Sequence, residues 1–316
     1  MVKKKRKLEN TNPSNPFFLG VGFVKPHTPL YAPKKYFDMF PLDEIMLPEM
    51  KNGDNDDTHY KDVYPPSEMG LSYYNKLKLS FPGNEGLKNF LRAYLACIAF
   101  MDEQVGKVLD ALENSKFSEN TIVVLTSDHG WQMGQKEYLY KNSPWEESTK
   151  IPMIIKTPQK QIGEVLEPVS LIDIYPTFID LCKLQKTSSE SNLELDGNSL
   201  HPLLEKPNSK TWAGSDGALT LLGVGINKPI DGLGINKNKS ASWHIEIIKD
   251  LDNSYLKKQN YTLRTRDYRY ILYKDGSEEL YDHHNDPKEW NNLSSKKNYQ
   301  KVKDKLRKQL LSKIKT

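Results

Sequence analysis

The tripeptide Asp128-His129-Gly130 stands at the end of TIVVLTS (121–127), a β-branched apolar run of strand character. In open α/β sheets, ligands bind just beyond the carboxyl ends of the strands. A carboxylate and an imidazole side by side there can both reach one metal ion, and a glycine after them lets the backbone bend away. The same residues also suit an N-cap aspartate and a hydrogen-bonded histidine opening the next segment; a dipeptide does not separate the two readings. Two ligands are in any case too few, since calcium takes roughly six to eight oxygens and zinc about three or more protein donors. Lys141 follows in a stretch with Gly134, Asn142 and Pro144. An ammonium aimed into such a pocket would bind an anionic ester or steady a departing oxygen, although a lysine is ordinarily a solvated surface group. His27, with Lys25 nearby, sits in KPHTP, where two prolines bracket the histidine in a stiff loop. A rigid loop presenting His and Lys suits an oxyanion; a purely structural histidine suits it as well.

The elements that must position these residues alternate. PFFLGVGF (16–23) is a continuous apolar run that predicts a strand buried on both faces, so His27 and Asp128 would open on the same sheet edge. Residues 33–85, rich in Pro, Gly, Asn and Asp, read as a long surface excursion, a length that implies a site-shaping role. Over 87–114, Leu91, Leu95, Ile98, Met101, Val105, Val108 and Leu112 fall on one helical stripe. IPMIIK (151–156) predicts a third strand, and 173–184 a helix with Asp173 as cap and Pro176 in its first turn. The alternation predicts an α/β fold with a mainly parallel sheet flanked by helices. Past Leu204 the texture changes. GINK occurs at 225–228 and 234–237, a local echo within a loop-like stretch over 205–245. TLRTRDYRYILY (262–273) alternates and continues through Asp275-Gly276, a hairpin signal. Tyr299, Val302, Leu306, Leu310 and Ile314 then follow at helical spacing. The expected division is 1–204, an α/β portion, and 205–316, a smaller subdomain of antiparallel hairpin and amphipathic helix.

Composition removes several classes of function. The 316 residues are 37% hydrophobic and 27% charged, enough apolar material for a core. A net charge of +4 is too near balance to argue for a nucleic-acid partner. Two cysteines exclude a disulfide framework, and Cys97 and Cys182 both read as buried small hydrophobes. No apolar run approaches a membrane span, and the basic start has no apolar run behind it, so no export signal is visible and the compartment stays open. The aspartates of 54–57 lack the spacing and closing glutamate of a calcium loop, the basic run at 3–7 reads as a solvated end, and His283 and His284, in the expected hairpin, lack a nearby carboxylate pair with metal spacing.

With these positions in hand, the chain resembles the sulfatase family of the alkaline-phosphatase-like superfamily, nearest to the iduronate-2-sulfatase-like enzymes. The resemblance is carried by PFFLGVGFVKPHTP, YLACIAFMDEQVGKVLDAL, TIVVLTSDHGWQMGQ with Lys141 after it, VSLIDIYPTFIDLCKL, LDGNSLHPLL and LRTRDYRYILYKDGSEELYDHHNDPKEWNNL, in family order across most of 16–294. It implies a sulfuric ester hydrolase acting on sulfated sugars. It also implies that Asp128 and His129 are two ligands of a metal, usually calcium, and that Lys141 contacts the sulfate and the leaving-group oxygen. His27 would bind the sulfate and assist leaving-group protonation, and Lys25 would lie near the substrate.

The departures matter as much. Family members open with a strand and an Asp-Asp pair carrying further metal ligands, then a Cys/Ser-x-Pro-x-Arg segment whose first residue becomes the formylglycine nucleophile. Neither Cys97 (CIAFM) nor Cys182 (CKLQK) begins such a segment. The expectation is therefore the C-terminal portion of a sulfatase, inactive by itself, with a separately encoded N-terminal half as one arrangement. The rival readings are a phosphoester or phosphonate hydrolase of the same superfamily, and a non-catalytic module that binds sulfated glycans or complements another chain.

Overall fold

The computed structural model describes residues 15–64, 66, 68–159, 162–185, 194–207, 209, 212–214, 216–223 and 259–314. The striped segment forms one long helix, Glu85–Glu113, in which Leu87, Leu91, Ala96 and Cys97 are buried. Leu95, Ile98, Met101, Val105, Val108 and Leu112 are only half-buried. After it come β1 (Val123–Thr126), β2 (Gln132–Met133), β3 (Leu139–Tyr140) and β4 (Met153–Lys156). β1 and β4 pair with each other, and β2 pairs with β3.

Three expectations about this half need correction. The pairing of β1 with β4 is antiparallel, Val123 opposite Lys156 and Thr126 opposite Met153, and every strand pair among the described residues is antiparallel. The fold is α/β, but an apolar run carries no information on strand direction, which the connecting chain decides. PFFLGVGF is not a strand. It has no ladder partner among the described residues, Phe18 is 80% exposed, and its rings only touch edge-on, Phe17 on Phe117 and Phe18 on Phe178. A strand needs a neighbour for its N–H and C=O groups, and apolar composition does not provide one. The 33–85 segment is no surface excursion. It contains the short helices Lys34–Phe37 and Tyr60–Val63 and the helix Met69–Ser80, and Tyr60 is fully buried. Glu68 caps that third helix by accepting from the N–H groups of Gly70 and Leu71.

The helix expected over 173–184 begins as a 3-10 turn, Leu171–Asp173, and continues as Ile174–Leu181. Asp173 stands at the N-cap of Ile174–Leu181 without a side-chain bond into that helix, and it caps the 3-10 turn instead, in a capping box with Ser170. Its carboxylate accepts from the backbone N–H of Ser170 and of Asn198, both at 2.7 Å, tying two loops together. Cys182 lies past the helix end and is exposed, unlike Cys97.

The C-terminal part is a meander of β5 (Ala218–Leu222), β6 (Asn260–Arg264), β7 (Tyr268–Leu272) and β8 (Glu278–Asp282). The expected hairpin is β7–β8, turned at Gly276, whose φ of 88° favours glycine. β5 falls in the stretch expected to be loop. The GINK copies lie outside the described residues. Alternation places two apolar faces on this sheet. Tyr261, Leu263, Tyr270, Leu272 and Leu280 pack under Leu306 and Leu310 of the amphipathic helix Gln300–Lys313. Ile271, Tyr273 and Tyr281 point the other way, against Tyr60, Tyr138 and Trp145. The sheet therefore backs onto the loop that follows Lys141. Among the described residues no helix is long and apolar enough to cross a membrane.

Candidate active site

At the end of β1 the chain is pinned by its backbone. Gly130 N–H donates to Ser148 O at 2.8 Å and Trp131 N–H to Glu147 O at 2.6 Å. A Cβ at position 130 would stand 2.1 Å from Glu147 O and 2.5 Å from Lys150 O. The glycine is needed for close approach of two backbones rather than for a bend. Asp128 and His129 are thereby fixed against the short helix Glu146–Thr149. The β2–β3 hairpin then carries the chain round through left-handed residues, including Tyr140 at φ 74°, a strained conformation for a bulky side chain. The Tyr140 ring is held edge-on by Trp131 at 5.3 Å and Phe90 at 5.9 Å. The next residue is Lys141.

Lys141 Nζ lies 2.7 Å from His129 Nε2. His129 Nδ1 lies 2.8 Å from Gly130 O, so Nδ1–H donates there and Nε2 accepts from the ammonium. Asp128 Oδ2 is 3.7 Å from the same Nε2, and its side chain is 85% exposed. The His27 ring is 6.4 Å from both the His129 ring and the Trp131 ring. Four of the five residues singled out by sequence thus converge. Lys25 does not. Its ammonium folds back on its own loop, donating to Pro29 O and sitting 4.2 Å from the centre of the Tyr31 ring. Trp131 was missed; it stacks on Tyr94 at 5.4 Å and on His129 at 6.2 Å, giving the site an aromatic wall. The tryptophan after Gly130 was its only signal in the sequence.

The Lys141 ammonium, held by His129 and with the His27 ring beside it, makes an oxyanion-binding arrangement. They are a poor cage for a cation. Asp128 and His129 offer two ligand atoms, and among the described residues no third carboxylate, imidazole or thiolate joins them in a metal-sized group. The expected calcium does not fit these residues alone.

The only such group of three among the described residues is Glu146, His283 and Glu289, whose ligand atoms lie within 4.8 Å of one another. The fold gives His283 the carboxylate pair that was not expected: Glu289 stands six residues on, and Glu146 comes from distant sequence. Cations already fill the space. Arg269 donates through Nε to Glu289 Oε1 at 2.5 Å and through Nη2 to Glu146 Oε2. Arg264 Nε reaches Glu146 Oε2 at 3.1 Å, and His283 Nε2 meets Glu289 Oε1 at 2.8 Å. Burial pushes the Glu289 carboxyl up, but the Arg269 guanidinium and His283 overcome it and hold the group at about 2. A second buried pair, Lys136 with Asp54 at 3.0 Å, gives the first aspartate of 54–57 a structural partner. These pairs fasten the loop around Lys141 to the rest of the molecule.

The sulfatase family model matches residues 1–184, and the model for the C-terminal region of N-sulphoglucosamine sulphohydrolase matches 221–316. A sulfatase of Formosa agariphila is 34% identical over 290 residues, covering 90% of this chain and 47% of its own. Iduronate 2-sulfatase of Mus musculus is 33% identical over 156 residues, covering 46% of this chain and 27% of its own. The chain spans about half the length of the curated relatives it matches most fully. Among solved structures, the phosphonate monoester hydrolase of Agrobacterium radiobacter superposes with a TM-score of 0.72 at 23% identity, covering 99% of this chain and 59% of that one. A structure solved with its substrate D-glucosamine-2-N,6-O-disulfate gives 0.54 at 26% identity, covering 77% and 44%. The chain belongs to the sulfatase family.

Proposed function

We propose that this chain carries the sulfate-binding side of a sulfuric ester hydrolase acting on sulfated sugars, of the iduronate-2-sulfatase-like kind. The observation behind the reading is the 2.7 Å contact of Lys141 with His129, with the His27 ring beside it. Lys141 would hold the sulfate and the leaving-group oxygen, and His27 would bind the sulfate and supply a proton to the departing sugar. Lys25 would join the substrate only by letting go of the Pro29 carbonyl. Asp128, and His129 once Lys141 releases its Nε2, would give two ligands to a metal, calcium by the family resemblance, with the other donors and the nucleophile coming from outside these 316 residues. A separately encoded N-terminal half is the arrangement this suggests, with the chain divided at 1–204 and 205–316.

Inorganic sulfate titrated into the protein is expected to move the imidazole resonances of His27 and His129. Lys141→Ala should weaken that binding about tenfold or more, the loss of one hydrogen bond from a charged donor. Absence of any sulfate effect would overturn the site. The purified chain alone is expected not to hydrolyse an aryl sulfate; turnover would overturn the divided arrangement. Phosphate titrated in parallel tests the rival phosphonate or phosphoester reading, which the fold likeness to a phosphonate monoester hydrolase favours. Calorimetry with calcium should give only weak binding, and micromolar affinity would overturn the two-ligand assignment.

A further inference from the structure

The chain from Ser143 to Glu146 is held one residue at a time by groups that play no part in the proposed chemistry. Ser143 Oγ meets Ser148 Oγ at 2.5 Å. Pro144 O accepts from Arg269 Nη1 at 3.1 Å, and Trp145 Nε1 donates to Glu279 Oε2 at 3.0 Å. Glu146 is bound by Arg269 and Arg264. The peptide next to Lys141 is different. Asn142 is itself exposed, and its carbonyl meets two buried phenols, Tyr60 at 2.5 Å and Tyr138 at 3.1 Å.

Each phenol has one proton to give. Tyr138 O also meets Glu68 Oε1 at 2.9 Å, and a carboxylate is the stronger acceptor. Tyr138 therefore donates to Glu68, and the proton on the Asn142 carbonyl comes from Tyr60, to which that carbonyl at 2.5 Å stands nearer than the Tyr138 oxygen at 3.2 Å. Tyr60 is 1% exposed, and its ring is fixed by Tyr64, stacked at 4.4 Å, and by Trp145 at 5.0 Å. Burial raises both phenols well above the ordinary tyrosine value, so both remain donors at any working pH.

We infer that Tyr60 is a positioning residue: its hydroxyl clamps the Asn142 carbonyl and so aims the Lys141 ammonium at His129 and at the bound oxyanion. The strained backbone at Tyr140 gives the clamp its purpose. With a left-handed residue on one side of Lys141, a fixed carbonyl on the other keeps the segment from relaxing. The inference rests on the sulfate-site reading only for its consequence; the aim of Lys141 at His129 is independent of it.

The test compares Tyr60→Phe with Tyr138→Phe in the full chain, each losing one oxygen from the same buried cluster. Nitrogen NMR of His129 reports whether Nε2 still accepts from Lys141, and Lys141→Ala supplies the released value. Tyr60→Phe is expected to shift Nε2 toward that value and to weaken sulfate binding about threefold to tenfold, while Tyr138→Phe leaves both near wild type. A general loosening of the cluster would move both variants alike, and that result overturns the inference, as does a wild-type His129 signal in Tyr60→Phe. If the unaltered protein binds no sulfate but Tyr60→Phe still shifts His129, the sulfate reading fails and the clamp stands. Should Tyr60→Phe not fold, the unaltered protein decides. The Tyr60 hydroxyl proton must exchange slowly and show a cross-peak to the Asn142–Ser143 peptide, and a rapidly exchanging hydroxyl overturns the clamp.

Discussion

Arg269→Leu is expected to cost about 3–5 kcal/mol of folding stability, the penalty for stripping a buried cation from its carboxylates. That is a large share of the roughly 5–15 kcal/mol that holds a typical domain together. Arg269 is 1% exposed and lies between Glu289 and Glu146, with further hydrogen bonds to Thr262 Oγ1 and Pro144 O. A leucine fills part of the volume and leaves both carboxylates facing each other without their shared cation. The pH dependence has a definite sign. Glu289 is held at about 2 against an ordinary 4.5, so in the parent protein it stabilises above the ordinary value and that contribution is lost as pH falls from about 4.5 toward 2. In the variant, burial acts against only His283 and the Glu146 backbone N–H, and the carboxyl rises, so acidification relieves the strain. Urea unfolding from pH 7 down to 3 should show the two proteins converging. A constant gap, or one that widens toward acid, would show that Glu289 is not held down by Arg269.

Gly130→Ala should be the most damaging small change at the site. The added methyl would lie 2.1 Å from Glu147 O and 2.5 Å from Lys150 O, and neither is the end of a flexible side chain. The backbones must part, at a cost of about 1–3 kcal/mol or more by analogy with overpacked cores. The parting breaks the hydrogen bonds of Gly130 and Trp131 to Ser148 and Glu147. Those bonds fix Asp128 and His129 against the loop that carries Lys141, so sulfate binding should disappear even where the protein still folds. Circular dichroism and thermal midpoint measure the first effect, and the histidine titration the second. Binding at wild-type strength in Gly130→Ala would mean that His129 and Lys141 do not need this backbone junction.

The candidate residues were legible in the sequence because their motifs are contiguous. DHG follows an apolar run, Lys141 follows within the same hairpin, and His27 sits between prolines. Three of those segments do meet, and four of the five side chains converge. Lys25 stands apart because local chemistry, a carbonyl and a tyrosine ring within its own loop, captures its ammonium. The helix Glu85–Glu113 and the C-terminal helix were legible because a 3.6-residue period reports both existence and buried face. PFFLGVGF misled because the same composition serves a strand or an unpaired extended chain, and only a neighbouring ladder distinguishes them.

By itself, the sequence determined the chemistry-bearing residue types, the long amphipathic helix, the β7–β8 hairpin and the family. Each depends on residues close together in the chain or on motifs in order. Tertiary structure alone decided the antiparallel pairing of β1 with β4, the wall of Trp131, and the buried ion network of Arg269, Glu146, His283 and Glu289. It also decided that Tyr60 meets the carbonyl of Asn142. The physical reason is common to all four. Strand direction, ion pairing and buried hydrogen bonds join groups far apart in the chain, and a composition or period read along the chain contains no term for such distances.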